Sequence, residues 1–262
     1  MKKLRLQQFL SMTGAFSSKS AVLKAIKDGD IIIDNKIMKN PNFQIGISRF
    51  VLWNKTKLFA IRKKTYIVLN KPAGFLSSKL SKNDELLRKK SVFSLLKGLD
   101  EQTINTLFCV GRLDEDTTGL LIITNDGELS HKTTNPLFSV HKKYLVTLEQ
   151  DLSSEAKKRL EQGVIIILEE NNKKTAYKTK PCTINFKDQS QKQLIITLAE
   201  GKKREVKRMI ETVKNKVTAL ERISIGCLEL DELDIPKGQY KTFEKDFLLN
   251  KINCEEKSSC KH

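Results

Sequence analysis

The densest group of side chains able to do chemistry lies at residues 111–119, which read Gly111-Arg112-Leu113-Asp114-Glu115-Asp116-Thr117-Thr118-Gly119. The segment joins two apolar runs of strand length, so it is a loop carried on rigid elements, a common location for reactive groups. It offers three consecutive acids beside an arginine. Two threonines can cap local backbone groups, and a glycine at each end permits tight turns or close approach of a ligand. Three readings fit such a triplet: a solvated acidic turn, a magnesium site built from hard oxygen ligands, or a single reactive carboxylate with two bystanders. Spacing alone leaves all three open. His131 and His141 invite an acid–base reading, but no Ser or Cys nucleophile accompanies them in a recognisable motif, and neither is assigned a catalytic role. The five cysteines (Cys109, Cys182, Cys227, Cys254, Cys260) are odd in number and never at C-x-x-C spacing. They indicate neither a zinc site nor a disulfide framework, and a reduced, cytoplasmic protein is expected.

The elements that must position these groups are short. Leu6, Phe9 and Leu10 recur at helical spacing until Gly14 breaks the run. Ser18 is a candidate N-cap for a second helix whose apolar face is Ala21, Val22, Ala25 and Ile26, ended by Gly29. A strand at Ile31-Ile32-Ile33, an Asp34-Asn35 turn and a short segment at Ile37-Met38 complete a helix-helix-strand module over residues 1–60. Lys19, Lys24 and Lys27 remain on the outer surface of the second helix. The polar, basic segment 54–64 reads as a tether. Beyond it, apolar runs at 66–70, 106–110, 120–124, 144–148, 164–168 and 194–198 are rich in Ile, Val, Leu and Thr and bounded by Gly, Asn, Asp or Pro, as strands are. Helical patterns cover 152–162 and 205–213. Strands and helices do not alternate regularly, so the expectation is an α+β fold with a largely antiparallel, mixed sheet flanked by helices over residues 65–250. Residues 251–262 are polar and aperiodic, and a disordered tail is expected there.

Charge narrows the partner. The chain of 262 residues carries a formal net charge of +17. Residues 1–64 hold 14 Lys or Arg against 3 Asp, a local excess of +11. A concentrated positive field of this kind suits a polyphosphate backbone, which releases counterions as each phosphate is neutralised. No run approaches the roughly 18 apolar residues of a membrane helix, and the N-terminus lacks the apolar core and cleavage site of a signal peptide.

Four ordered blocks choose among the readings of the acidic triplet. Residues 111–136 resemble the signature segment of the RsuA/RluB-type ribosomal pseudouridine synthases. Asn70-Lys71-Pro72-Ala73-Gly74 resembles the N-K-P-x-G motif of that family, and Lys142-Lys143-Tyr144-Leu145-Val146 its K-x-Y block. Residues 200–209 (Glu-Gly-Lys-Lys-Arg-Glu-Val-Lys-Arg-Met) resemble its E-G-x-x-R-E-V-[KR]-R-M block. The N-terminal module is similar to the RNA-binding domain named for ribosomal protein S-four. The resemblance covers about residues 4–248, and its specificity lies in the order and separation of the blocks.

The resemblance implies an enzyme that isomerises uridine to pseudouridine in ribosomal RNA, with rRNA or a pre-ribosomal particle as partner and no cofactor or metal. Such an enzyme breaks the bond between ribose and a uracil nitrogen, turns the base, and rejoins the sugar to a ring carbon. Asp114 matches the essential Asp, as attacking group or as base, and either role needs an ionised carboxylate. Lys207 matches the basic partner of that Asp. Tyr144 is expected to stack on the uracil, Arg112 to lie near the flipped nucleotide, and Val206 to form part of the apolar floor. Lys71 with Pro72 is expected to shape a loop beside the site. Lys19, Lys24, Lys27, Lys203 and Arg204 are the expected RNA contacts. The Arg204-Glu205-Val206 run looks slightly more like large-subunit than small-subunit enzymes, and a monomer is the default.

The sequence departs from the family at Ser18-Lys19-Ser20, where Ser-Arg-Arg is common, at Asp34-Asn35-Lys36, where Val-Asn-Gly is common, and at Cys109, where Pro is frequent. A lysine offers a point charge in place of a planar fork, so the first change alters how phosphate would be held. The rivals are a non-catalytic RNA-binding or ribosome-assembly factor and a magnesium-dependent phosphoesterase using Asp114 and Asp116. The set Asp114, Tyr144 and Lys207 disfavours the former, and the lack of a second acidic cluster at suitable spacing disfavours the latter.

Overall fold

The computed structural model describes residues 3–61, 63–170, 173–187 and 191–253. The N-terminal module forms around its own core. Leu6, Phe9 and Leu10 from the helix Leu6–Ser11 meet Val22, Ala25 and Ile26 from the helix Lys19–Asp28 and close over Ile31, Ile45 and Val51. Ser18 caps the second helix by accepting a hydrogen bond from the Ala21 amide, and Gly29 ends it in the left-handed region. The Asp34-Asn35 turn has positive φ at both residues, the geometry that lets two short strands reverse.

The module holds more sheet than its apolar pattern foretold. Ile31–Ile33, Lys36–Ile37, Phe50–Trp53 and Thr56–Phe59 form a four-stranded sheet, and Lys3–Arg5 pairs with Gln44–Gly46. The expected tether is therefore corrected. Asn54 and Lys55 form a positive-φ turn, and Thr56–Phe59 returns as a strand that buries Leu58 under the module. One inward residue among polar neighbours is a faint pattern, easily mistaken for linker.

The larger unit is a mixed sheet of nine strands. Its main order is Thr183–Phe186, Gln193–Leu198, Lys142–Leu148, Val217–Ile225, Thr118–Thr124, Tyr66–Lys71, Tyr240–Thr242, with Phe108–Val110 and Leu228–Glu229 added alongside. Every pairing is antiparallel except that of Val217–Ile225 with Thr118–Thr124, so the sheet is mixed and mostly antiparallel. Tyr66–Lys71 and Thr118–Thr124 are buried on both faces, which explains their continuous apolar runs. Ile67, Leu69, Leu121 and Ile123 face a core closed by Met209, Ile210 and Leu160. Their alternates Tyr66, Val68, Leu120 and Ile122 face a second core closed by Leu129, Leu248 and Ile252.

The helical patterns resolve to Ser154–Glu161 and Glu205–Glu211. The run expected as a strand over 106–110 begins later, at Phe108, because Thr106 ends the helix Glu101–Thr106. The nine-residue strand Val217–Ile225 was hidden in sequence by Glu221 and Arg222, charged residues at its centre. The two units touch where Gln102 and Asn105 donate to the Thr13 and Gly14 carbonyls at 2.8 and 3.1 Å. A Cβ at Gly14 would lie 2.2 Å from the Gln102 carbonyl oxygen, so glycine is required at this contact. The expectation of unpaired thiols fails at Cys227, which is disulfide-bonded, whereas Cys109 and Cys182 are free. The Cys227 amide donates to the Lys251 carbonyl at 2.8 Å, near the end of the helix Lys245–Ile252. The disordered tail expected at 251–262 is corrected at its start, where Lys251 and Ile252 end the helix Lys245–Ile252 and Ile252 is buried in the second core; the residues after Asn253 lie outside the described ones. Among the described residues no helix is long and apolar enough to cross a membrane.

Candidate active site

The 111–119 loop leaves the strand Phe108–Val110 and enters Thr118–Thr124 at the one parallel junction of the sheet. Gly119 sits there at φ 99°, and a Cβ would lie 2.3 Å from the Arg222 carbonyl oxygen. Only glycine meets both demands, so the end of the loop is set against the neighbouring strand.

The backbone of the loop is held chiefly by Lys71. This side chain is fully buried at the end of the strand Tyr66–Lys71, and its ammonium donates to the carbonyls of Thr117, Asp114 and Glu115 at 2.7, 3.0 and 3.1 Å. The Pro72 carbonyl, also 3.1 Å away, shares one of the three N–H groups. Burial pulls the Lys71 pKa down to about 8, opposed by the nearby charges of Asp116, Asp114 and Glu115. Ser77 grips the other side, donating to the Leu113 carbonyl at 2.8 Å and accepting from the Leu113 amide at 3.1 Å. Glu115 points away and pairs with Lys89 at 2.8 Å.

These bonds leave Asp114 and Asp116 facing Lys207 on the helix Glu205–Glu211. The Lys207 ammonium lies 2.6 Å from Asp116 Oδ1 and 3.8 Å from Asp114 Oδ2. Its side chain is 9% exposed, and that of Asp114 is 29% exposed. The hydrogen bond from Lys207 holds the Asp116 carboxyl below its usual range against the opposing effect of partial burial. Glu115 is turned outward to Lys89, and an ammonium already stands between the two aspartates.

A cleft of about 410 Å³ opens beside Asp114. Tyr144, Leu198, Val206 and Leu220 supply its apolar wall, and Arg112, Lys203 and Arg204 line it as exposed cations. Arg204 adopts φ 56° as it leads into the helix Glu205–Glu211. The loop before this helix is tied from beneath by two buried acids. Glu205 accepts from the Lys202 amide at 2.7 Å, and Glu200 accepts from the Lys180 amide at 2.7 Å and the Tyr177 hydroxyl at 2.5 Å. Burial and the adjacent Glu200 push the Glu205 carboxyl up to about 8. Its Oε1 has no ordinary donor, and a proton on Glu205, donated to Glu200, resolves that deficit.

Of the residues singled out in the sequence, Asp114, Arg112, Tyr144, Val206, Lys207, Lys203 and Arg204 converge here. Lys19, Lys24 and Lys27 do not. They are exposed on the N-terminal module, with Lys24 paired to Asp28 and lining a second groove. Asp116 as the nearer partner of Lys207, and Glu205 as a buried acid, were not foreseen. Both sit inside quoted motifs, but burial and pairing across 91 residues of chain leave no local pattern.

Comparison with known proteins identifies the family. Residues 65–212 match the family described as RNA pseudouridylate synthase, and residues 4–51 match the S4 domain. The chain belongs to the RNA pseudouridylate synthase family. The ribosomal small subunit pseudouridine synthase A of Vibrio vulnificus (strain CMCP6) is 33% identical to this synthase over 238 residues, which is 91% of this chain and 95% of the relative. An RNA pseudouridine synthase of Bacillus subtilis (strain 168), YtzG, is 34% identical over 94% of this chain and 98% of its own. A crystal structure of a pseudouridylate synthase is similar to this synthase with a TM-score of 0.63 and 30% identity, covering 95% of this chain and 99% of that one.

Proposed function

We propose that this synthase isomerises one uridine of ribosomal RNA, using Asp114 as its catalytic carboxylate without a cofactor. The observation that carries the proposal is the position of Asp114. Its partly exposed carboxylate opens on a cleft walled by an aromatic ring and ringed by cations, with an ammonium 3.8 Å behind it. Attack on the ribose or removal of a sugar proton both begin from an ionised carboxylate, and Lys207 supplies its counter-ion. Tyr144 offers the uracil an apolar face once it leaves its stack, and Val206 and Leu220 extend that floor. Arg112, Lys203 and Arg204 are suited to phosphates flanking the flipped nucleotide.

Residues 1–60 act as the RNA-docking module, through Lys19, Lys24 and Lys27, and residues 65–250 as the synthase unit. The enzyme works as a cytoplasmic monomer on rRNA or a pre-ribosomal particle. The names of the relatives favour the small subunit, and this outweighs the slight large-subunit likeness of Arg204-Glu205-Val206. Mapping pseudouridine in both rRNAs with and without the gene tests the proposal. Loss of one small-subunit site is expected, and unchanged maps would overturn it. Activity that persists in chelator separates it from a magnesium-dependent reaction.

A further inference from the structure

Residues 78–90 form a mostly exposed excursion, from which Lys79 reaches back to the Asn105 carbonyl at 2.5 Å and lies over the Phe93 ring. Its neck is closed by the parallel pairing of Phe75–Leu76 with Lys90–Ser91 and by a 2.6 Å bond from the Ser91 hydroxyl to the Ser78 carbonyl. Its body is the helix Lys82–Leu86, which buries none of its residues. The helix is held locally. Ser81 and Asp84 cap each other at its start, and the amides of Leu87, Arg88 and Lys89 return to Asn83, Glu85 and Asp84 at its end. Arg88 closes the turn at φ 51°. This framing presents Leu86 and Leu87 side by side at the tip, 81% and 61% exposed. A short helix that adds nothing to any core, yet is capped at both ends around two leucines in water, is built to meet something outside the free chain.

Its surroundings say what. Arg88, Lys89 and Lys90 follow the leucines directly, so a polyanion suits the tip better than a neutral or basic protein surface does. The projection stands between two clefts. Ser77 and Ser78 at its root line the Asp114 cleft, and Ser81, Lys82 and Glu85 line a second groove of about 710 Å³ shared with Lys24 of the N-terminal module. Lys89 also pairs with Glu115, the residue next to Asp114, at 2.8 Å. The tip is therefore tied by one ion pair to the loop that carries the catalytic carboxylate.

We propose that Leu86 and Leu87 form an apolar wedge that enters the RNA base stack next to the target uridine, with Arg88 and Lys90 neutralising the adjoining phosphates. An apolar side chain inserted at a base step unstacks it, which lowers the cost of turning a nucleotide out of a helix. The Lys89–Glu115 pair couples insertion of the wedge to the position of the Asp114 loop. The proposal rests on the reading of the chain as an RNA-modifying synthase.

Two measurements test it. In the first, p-benzoylphenylalanine replaces Leu87 in the full chain, which is irradiated with total ribosomal particles. Crosslinks to RNA are expected; crosslinks only to protein, to a second copy, or to nothing overturn the wedge. In the second, the Leu86→Ala/Leu87→Ala double variant is compared with wild type on a base-paired rRNA fragment and on a short unpaired oligonucleotide carrying the same uridine. The variant is expected to lose roughly tenfold or more in kcat/KM on the paired substrate and less than about threefold on the unpaired one. Equal losses on both, or none on either, overturn the proposal. The crosslink needs no turnover and the wild-type rate is read separately, so failure of the wedge is distinct from failure of the enzymatic assignment.

Discussion

Replacing Lys71 with methionine tests how the loop bearing Asp114 is held. The substitution keeps an unbranched side chain in a fully buried position but removes an ammonium whose three N–H groups are shared among four carbonyls at 2.7–3.1 Å. Hydrogen bonds to a charged group contribute about 1.5–3 kcal/mol each, so the three N–H groups give on the order of 6 kcal/mol before costs. Against this stands the cost of burying the charge. A pKa lowered from 10.5 to about 8 corresponds to roughly 3 kcal/mol. Lys71→Met should therefore destabilise the fold by about 3 kcal/mol, measured by urea unfolding at neutral pH. The Thr117 carbonyl loses its donor, while the Asp114 and Glu115 carbonyls keep only the amides of Thr117 and Gly74, so the loop loosens, and a displacement of about 1 Å at Asp114 lowers the single-turnover rate roughly a hundredfold. The pH dependence supplies a control. Because the folded pKa lies below the unfolded one, ionisation of Lys71 opposes folding up to about pH 8, and that penalty fades as pH rises towards 10.5. This group thus adds no stability loss above pH 8, whereas the rate should fall there as the neutral amine releases the loop. A Lys71→Met enzyme within about 1 kcal/mol of wild-type stability and with a wild-type rate would refute the anchoring role.

Other outcomes follow from the same geometry. Lys207→Met should lower kcat at least about a hundredfold in a single-turnover assay on rRNA, because it leaves Asp114 and Asp116 facing each other without a counter-ion. The Glu205 carboxyl titrates at about 8 when folded and near 4.5 when unfolded, so its contribution to stability is complete below pH 4.5 and lost as pH rises through 8. Urea titrations of Glu205→Gln should show a flatter stability profile over that window than wild type, and identical slopes would remove the buried proton. Gly119→Ala should destabilise by several kcal/mol or prevent folding, from positive φ and collision with the Arg222 backbone, as read by thermal denaturation. Alanine at Lys19, Lys24 and Lys27 should reduce the slope of log K against log salt for rRNA binding by about 2–3 and leave the synthase unit folded.

The legibility of this protein in its sequence varied with how local each cause was. Caps and turns were readable, because Ser18, Gly29 and the Asp34-Asn35 turn act over a few residues. The central strands were readable because burial on both faces leaves unbroken apolar runs. Thr56–Phe59 and Val217–Ile225 were missed, since a single inward Leu58, or a buried Arg222 bonded to the Leu120 carbonyl, does not resemble a strand. At the site, motif order singled out Asp114, Tyr144 and Lys207. It could not reveal that Lys207 sits closer to Asp116, that Lys71 holds three carbonyls of one loop, or that Glu200 and Glu205 share a buried space. Those relations join strands and helices far apart in the chain and exist only once the sheet has formed.

The central claim is that Asp114 performs the isomerisation, and it is tested most directly with small-subunit rRNA from cells lacking the gene. Wild-type and Asp114→Asn proteins are incubated with that RNA, pseudouridine is mapped at single-nucleotide resolution, and the affinity of each protein is measured. Wild type should form pseudouridine at one position, whereas Asp114→Asn should form none yet bind within roughly threefold of wild-type Kd. Pseudouridine formation by Asp114→Asn at a rate near that of wild type would contradict the assignment.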